Sequence, residues 1–187
     1  GHGHTYPGVS APFGMVQLSP DTRLEGWDGC GGYHFSDSII YGFSHTHLSG
    51  TGISDYADVL LMPTTGKIQL TNGVDEAKIN NAPVNNLGYA SKFSHKNETA
   101  EAGYYQVLLD DYNINVELTS SIRTGVHRYT YPKNEDANVI LDLKHRDKLL
   151  DYKINVIDSQ TITGFRHSTE WARDQRIYFT LKFSIPF

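Results

Sequence analysis

The residues best suited to chemistry crowd into positions 1–52, which hold 11 of the 17 glycines and 5 of the 9 histidines. Four of those histidines fall in pairs spaced two apart: His2 with His4, and His45 with His47 in Phe43-Ser44-His45-Thr46-His47. On a strand, residues two apart project from one face, so each pair offers two imidazoles to one ligand. With an added carboxylate such as Asp55 or Asp58, the donors would suit a metal. No carboxylate stands at the local spacing of a known zinc signature, however, and imidazoles also bond loop backbone and polar substrate groups. The reading adopted is therefore substrate contact or loop locking, with no metal ligand assigned.

A second cluster is Gly26-Trp27-Asp28-Gly29-Cys30-Gly31-Gly32-Tyr33-His34-Phe35-Ser36-Asp37. Trp27 lies on a glycine-rich loop, where its flat ring can meet the apolar face of a sugar while Asp28 and His34 bond hydroxyls. The alternative is an indole that pins the loop to the scaffold. Cys30 has His34 four residues on but lacks the local signatures of cysteine proteases, so it reads as a packing residue. Adjacent acids such as Asp110 and Asp111 point to opposite faces of a strand and fit a turn better than a shared catalytic site. No carboxylate pair has a spacing that argues for catalysis, and no catalytic residue is assigned. Trp171 falls between two expected strands, where it either rims a cleft or buries itself; burial is expected.

The elements that must position these residues read as strands. Expected strands cover residues 13–18 (stopped by Ser19-Pro20), 39–45, 57–62 (stopped by Pro63) and 67–70 (stopped by the turn dipeptide Asn72-Gly73). Residues 74–88 read as a loop. Further strands follow at 90–95, 103–109, 114–119, 124–131, 138–143, 152–157, 161–166 and 176–184, several alternating apolar and polar residues. Helical periodicity is scarce. The expected fold is all-β, an antiparallel β-sandwich in one domain over 1–187, with cleft loops in 1–52 and a strand scaffold in 53–187.

Composition narrows the function classes. The chain has 187 residues and a mean hydropathy of -0.43, with no apolar stretch long enough to span a bilayer. Lys and Arg number 16 against 21 Asp and Glu, for a net charge of -5, which disfavours nucleic acid as a partner. One cysteine excludes an internal disulfide. The chain opens inside a motif without Met and ends on an expected strand, which suggests a fragment. Asn97-Glu98-Thr99 matches the glycosylation sequon.

Three blocks together resemble the start of the glycoside hydrolase family 92 α-mannosidases. They are Gly1-His2-Gly3-His4-Thr5-Tyr6-Pro7-Gly8 with Ala11-Pro12-Phe13-Gly14-Met15-Val16-Gln17-Leu18-Ser19-Pro20-Asp21-Thr22; Gly26-Trp27-Asp28 with Gly32-Tyr33-His34-Phe35-Ser36-Asp37; and Gly42-Phe43-Ser44-His45-Thr46-His47-Leu48-Ser49-Gly50-Thr51-Gly52. The resemblance implies the amino-terminal sandwich of a two-domain enzyme, joined to an (α/α)6 barrel that is absent here. It implies an exo-acting, inverting, calcium-dependent hydrolase that removes terminal mannose from glycans, α-1,2 links foremost. The catalytic carboxylates and calcium ligands are then expected chiefly from the barrel. It also implies a secreted, periplasmic or cell-surface location.

By matching motif position, Trp27 is the first choice for a sugar contact, followed by Asp28 and His34, with His2, His4, His45 and His47 lining the cleft or locking its loops. The family often carries a larger residue at position 29, so Gly29 is expected to leave that part of the subsite wider. An apolar patch that the barrel would cover is expected, made partly by the glycine-rich loops. The alternatives are a free-standing carbohydrate-binding module and a small histidine-metal hydrolase.

Overall fold

The structure is a computed structural model that describes residues 4–50, 52–133 and 136–187. The candidate His2 lies outside the described residues. Strands β1 (Val9–Ser10), β2 (Gln17–Asp21), β3 (Ile39–Ile40), β4 (Gly42–Ser44) and β5 (Leu60–Thr65) precede helix α1 (Gly73–Asn80). Then come β6 (Ser91–Lys92), a 3-10 turn (His95–Asn97), β7 (Glu98–Glu101), β8 (Tyr104–Leu109), β9 (Ile114–Ser120), β10 (Gly125–Thr130) and β11 (Ala137–Asp142). The chain closes with β12 (Lys148–Asp158), β13 (Thr161–Thr169) and β14 (Gln175–Lys182). Every strand pairing is antiparallel.

Two sheets make the sandwich. One runs β1-β2-β4-β5-β11 and the other β10-β9-β8-β7. Val9, Leu18, Phe43, Leu60, Met62 and Ile140 from the first pack with Tyr105, Val107, Leu109, Ile114, Val116 and Leu118 from the second into one buried cluster. The period-two pattern decides which residues face it. Along β8, Tyr105, Val107 and Leu109 are buried while Tyr104, Gln106 and Leu108 are less so, as an alternating pleat requires.

A third sheet, β12-β13-β14, stands largely outside this core. Its registers put Tyr152, Ile154, Val156, Ile162, Ile177, Phe179 and Leu181 on one face, with Tyr152, Ile154 and Val156 each exposed. The Phe179 ring reaches across to Gly164, where a Cβ would come within 2.6 Å of its Cζ. Arg166 enters the same face at the buried end and fastens the sheet to the sandwich. It is fully buried, pairs with Asp58 and with Asp147 at 2.5 Å, and bonds the Leu143 carbonyl.

Two expected strands, 13–18 and 57–62, begin only at Gln17 and Leu60, and other expectations fail too. One concerns Pro20 and Pro63, expected as strand stops, which lie inside β2 and β5. A proline lacks only its own donor, and the paired neighbours carry the ladder. Next, residues 67–70 form no strand, and the Asn72-Gly73 turn opens α1 instead. The Asn72 side chain caps the helix by accepting from Asp75 N at 2.9 Å, so residues 74–80 are helix rather than loop. Finally, Trp171, expected to be buried, is 61% exposed on the turn between β13 and β14. No helix among the described residues is long and apolar enough to cross a membrane.

Candidate functional site

The glycine-rich loop between β2 and β3 is built around an ion pair. Arg23 grips Asp37 in two places, Nη2 to Oδ1 at 2.5 Å and Nε to Oδ2 at 3.2 Å. Thr22 Oγ1 donates to the same carboxylate at 3.0 Å and accepts from His34 N at 2.9 Å. Arg23 Nη1 donates to the Asp28 carbonyl at 3.2 Å. The two ends of the loop are thus tied together, and the ring of His34 is held by Ser36 Oγ at 2.7 Å from Nδ1, with Asp28 Oδ2 at 3.9 Å from Nε2. An open groove of about 400 Å³ runs along Thr22, Arg23, Leu24, Glu25, Asp37, Tyr41 and Val74.

Trp27 is 71% exposed at the tip of this loop. Its ring lies over Gly52, where a Cβ would fall 2.2 Å from Cη2, so only glycine admits the indole there. His4 meets the ring edge-on at 5.9 Å between centroids, and its Nδ1 lies 3.2 Å from Cys30 Sγ. Arg146 Nη2 holds the Cys30 carbonyl at 3.1 Å from below. The exposed indole therefore stands on a braced loop. Phe35, also exposed, stacks on His95 at 4.2 Å.

Gly29 does not open the subsite as expected. It is buried, and a Cβ there would meet Arg23 Cδ at 2.8 Å and His34 Cβ at 3.1 Å. The room left by the missing side chain is taken by the arginine stem.

His45 and His47 lie deeper and serve different partners. His47 is buried, with Nδ1 2.7 Å from the Gln17 carbonyl, and Nε2 3.0 Å from Ser44 Oγ and 3.1 Å from Asp21 Oδ1. Burial alone would raise the Asp21 pKa. The charges and hydrogen bonds of His47 and His145 override it and hold the carboxyl far below the usual carboxylate range. His45 places Nδ1 2.6 Å from the Val59 carbonyl and Nε2 3.0 Å from Nε2 of His127, whose Nδ1 meets the Tyr129 hydroxyl at 2.8 Å. These contacts bridge the two sheets. A Cβ at Gly125 would lie 3.0 Å from His45 Cδ2, so a bare glycine makes room for the ring.

The acids are likewise occupied. Asp58 accepts from Thr46, Gln175 and Arg166, and burial pushes its carboxyl up against the lowering pull of Arg166. Asp55 accepts from Ala172 N at 2.8 Å. No three His, Cys, Asp or Glu side chains among the described residues converge into a metal site. Sequence reasoning missed Arg23 and gave Asp37 no role of its own, because only the loop's closure brings the two together. It also missed His127, His145 and Arg146, which reach the loops from the far half of the chain.

The glycosyl hydrolase family 92 N-terminal domain matches residues 1–187. A family GH92 α-mannosidase from Bacteroides thetaiotaomicron, solved in complex with mannoimidazole, is 38% identical with a TM-score of 0.90, over 100% of this chain and 24% of that one. The GH92 family glycosyl hydrolase ccman5 is 26% identical with a TM-score of 0.77, over 96% of this chain and 24% of its own. An uncharacterized secreted glycosidase of Arthroderma benhamiae is 28% identical over 133 residues, which is 71% of this chain and 16% of that protein. The chain thus spans about a quarter or less of the length of these relatives. The match over the whole chain, with the same fold at this identity, makes it a member of the glycosyl hydrolase family 92 N-terminal domain family.

Proposed function

We propose that this chain forms one wall of the active-site cleft of an exo-acting, inverting, calcium-dependent α-mannosidase that releases terminal mannose from glycans, with α-1,2 links as the first substrate class. The likeness over the whole chain to an α-mannosidase solved with mannoimidazole carries this reading. The local chemistry supports it. Trp27 offers an exposed ring to the C–H face of a pyranose, and Asp28, His34 and the Arg23–Asp37 pair flank it with donors and acceptors for hydroxyls.

The chain's own residues bind and orient; none is assigned as general acid or base. Inverting hydrolysis needs a carboxylic acid and a carboxylate facing each other across the bond. The buried Asp21, Asp55 and Asp58 are each engaged within the protein. No group of three or more His, Cys, Asp or Glu side chains among the described residues could hold a metal ion, and the carboxylates of Asp58 and Asp147 meet on the Arg166 guanidinium. Acid, base and calcium ligands are assigned to an (α/α)6 barrel partner, for which the apolar face of β12-β13-β14 is a suitable docking surface. A secreted, periplasmic or cell-surface location accompanies this reading.

Trp27→Ala, in the enzyme that contains this domain, is the test. It is expected to lower kcat/KM for α-1,2-mannobiose about tenfold, the order of a lost aromatic contact. An unchanged kcat/KM would remove Trp27 from the cleft. The free-standing binding module, the rival reading, requires that Trp27→Ala weaken mannobiose binding by the chain in calorimetry while leaving kcat/KM of the enzyme unchanged.

A further inference from the structure

The chain has two tryptophans, and both are exposed: Trp27 at 71% and Trp171 at 61%. They are 144 positions apart in sequence (171 less 27), yet their loops are pinned to neighbouring residues of one short segment. Trp27 lies over Gly52, and Ser54 Oγ donates to the Gly26 carbonyl at 3.0 Å. The next residue, Asp55, is fully buried and accepts from Ala172 N at 2.8 Å through Oδ2.

The Trp171 turn is held on its other sides too. Glu170 N donates to the Ala172 carbonyl at 3.2 Å, and Asp174 accepts from Arg176 at 3.0 Å and lies 2.7 Å from His167 Nε2. Gln175 Nε2 reaches Asp58 Oδ2. A large ring on a turn restrained at both ends loses little further freedom when it binds, which favours recognition.

We infer that Trp171 is a second sugar-binding ring of the same cleft, contacting a mannose unit of the glycan together with Trp27. This deepens the function proposed above and rests on it. The chemistry around Trp171 selects a sugar over a protein surface. Its flanking residues Glu170 and Arg173 are exposed and charged, giving one apolar face between hydroxyl-bonding groups. Protein docking favours contiguous apolar side chains, and those lie together on the β12-β13-β14 face instead.

Having two tryptophans makes the test direct. Trp27→Phe leaves Trp171 as sole indole reporter, and Trp171→Phe leaves Trp27. Each single-tryptophan chain is titrated with α-1,2-mannobiose and α-1,2-mannotriose while indole emission is followed. The inference expects both reporters to shift and to saturate with added sugar. It also expects Trp171→Ala to weaken mannotriose binding about fivefold, with circular dichroism unchanged. A response from Trp27 alone, with mannotriose affinity unchanged in Trp171→Ala, overturns the inference and leaves the proposed function standing. Silence from both reporters at millimolar sugar overturns the inference for this chain. Hydrolysis of mannotriose by the enzyme containing the domain then decides separately whether the proposed function survives.

Discussion

Lowering the pH from 7 toward 4 is expected to remove about 3 kcal/mol of folding free energy through His45. The hydrogen bonds say why. The Val59 carbonyl can only accept, so His45 Nδ1 carries a proton and its Nε2 a lone pair. His127 Nε2–H donates to that lone pair, and the Tyr129 hydroxyl donates to His127 Nδ1. The chain of bonds closes with both rings neutral, and a proton on His45 Nε2 sets N–H against N–H. Burial, aided by the nearby His47 and opposed by the Val59 carbonyl and Asp21, pushes His45 down to about 4 from 6.5. Burial and the facing His45 push His127 well down too. Both folded pKa values are depressed, so on acidification the unfolded chain takes up protons first. The contribution is complete above pH 6.5 and drains away as pH falls toward 4. At roughly 1.4 kcal/mol per unit, the separation from 6.5 to about 4 gives the quoted magnitude. Urea denaturation of the wild type and of His45→Asn across this range measures it. The variant should be less stable at pH 7 yet lose about 3 kcal/mol less on acidification. Equal pH slopes for the two proteins would refute the reasoning.

Two further substitutions probe the frame beneath the loops. Arg166→Leu strands the buried Asp58 and Asp147 without their cation and should cost about 3–5 kcal/mol in chemical denaturation; a loss below about 1 kcal/mol would contradict the anchoring role. Gly32→Ala puts a Cβ 2.5 Å from Asp21 Oδ1 and 2.9 Å from His47 Cδ2 at a φ of +98°. It should lower stability by about 2 kcal/mol or more, and an unchanged thermal midpoint would show that the loop has room to yield.

The sandwich was legible because its central strands obey one rule. β8 and β9 alternate residue by residue, and the buried set Tyr105, Val107, Ile114 and Val116 follows from that alternation. Legibility ended where the backbone departs from a period. The loop between β2 and β3 is set by an Arg23–Asp37 pair fourteen positions apart and by Gly32 accepting from Thr22 N, neither of which has a pattern. Trp27, Asp28 and His34 were singled out because the motif block carries them. His127 and Arg146 were not, because their partners lie 82 and 116 positions away. The α1 helix escaped detection since only Gly73 and Ala77 are buried, leaving no apolar stripe to read.

The segment that joins these parts is strained. Tyr56, Ala57 and Val59 have φ of 70°, 59° and 55°, left-handed values that cost an L-residue about 1–2 kcal/mol each, and a β-branched valine least tolerates them. The whole turn therefore carries a cost on the order of 3–6 kcal/mol. What opposes it is a set of bonds that only this conformation makes. Ala57 N reaches the Thr46 carbonyl at 2.9 Å, Thr46 Oγ1 donates to Asp58 Oδ2 at 2.6 Å, Arg166 pairs with Asp58, and the Val59 carbonyl meets His45 Nδ1 at 2.6 Å. Bonds to charged groups contribute roughly 1.5–3 kcal/mol each, so two of them with the neutral pair match or exceed the strain. An extended strand through residues 55–59 would relieve the strain but would turn successive side chains to opposite faces. Asp55 would then leave Ala172, and Asp58 would leave Arg166. The twisted backbone is what lets one short segment hold the Trp27 loop, the Trp171 turn and the third sheet in a fixed relation.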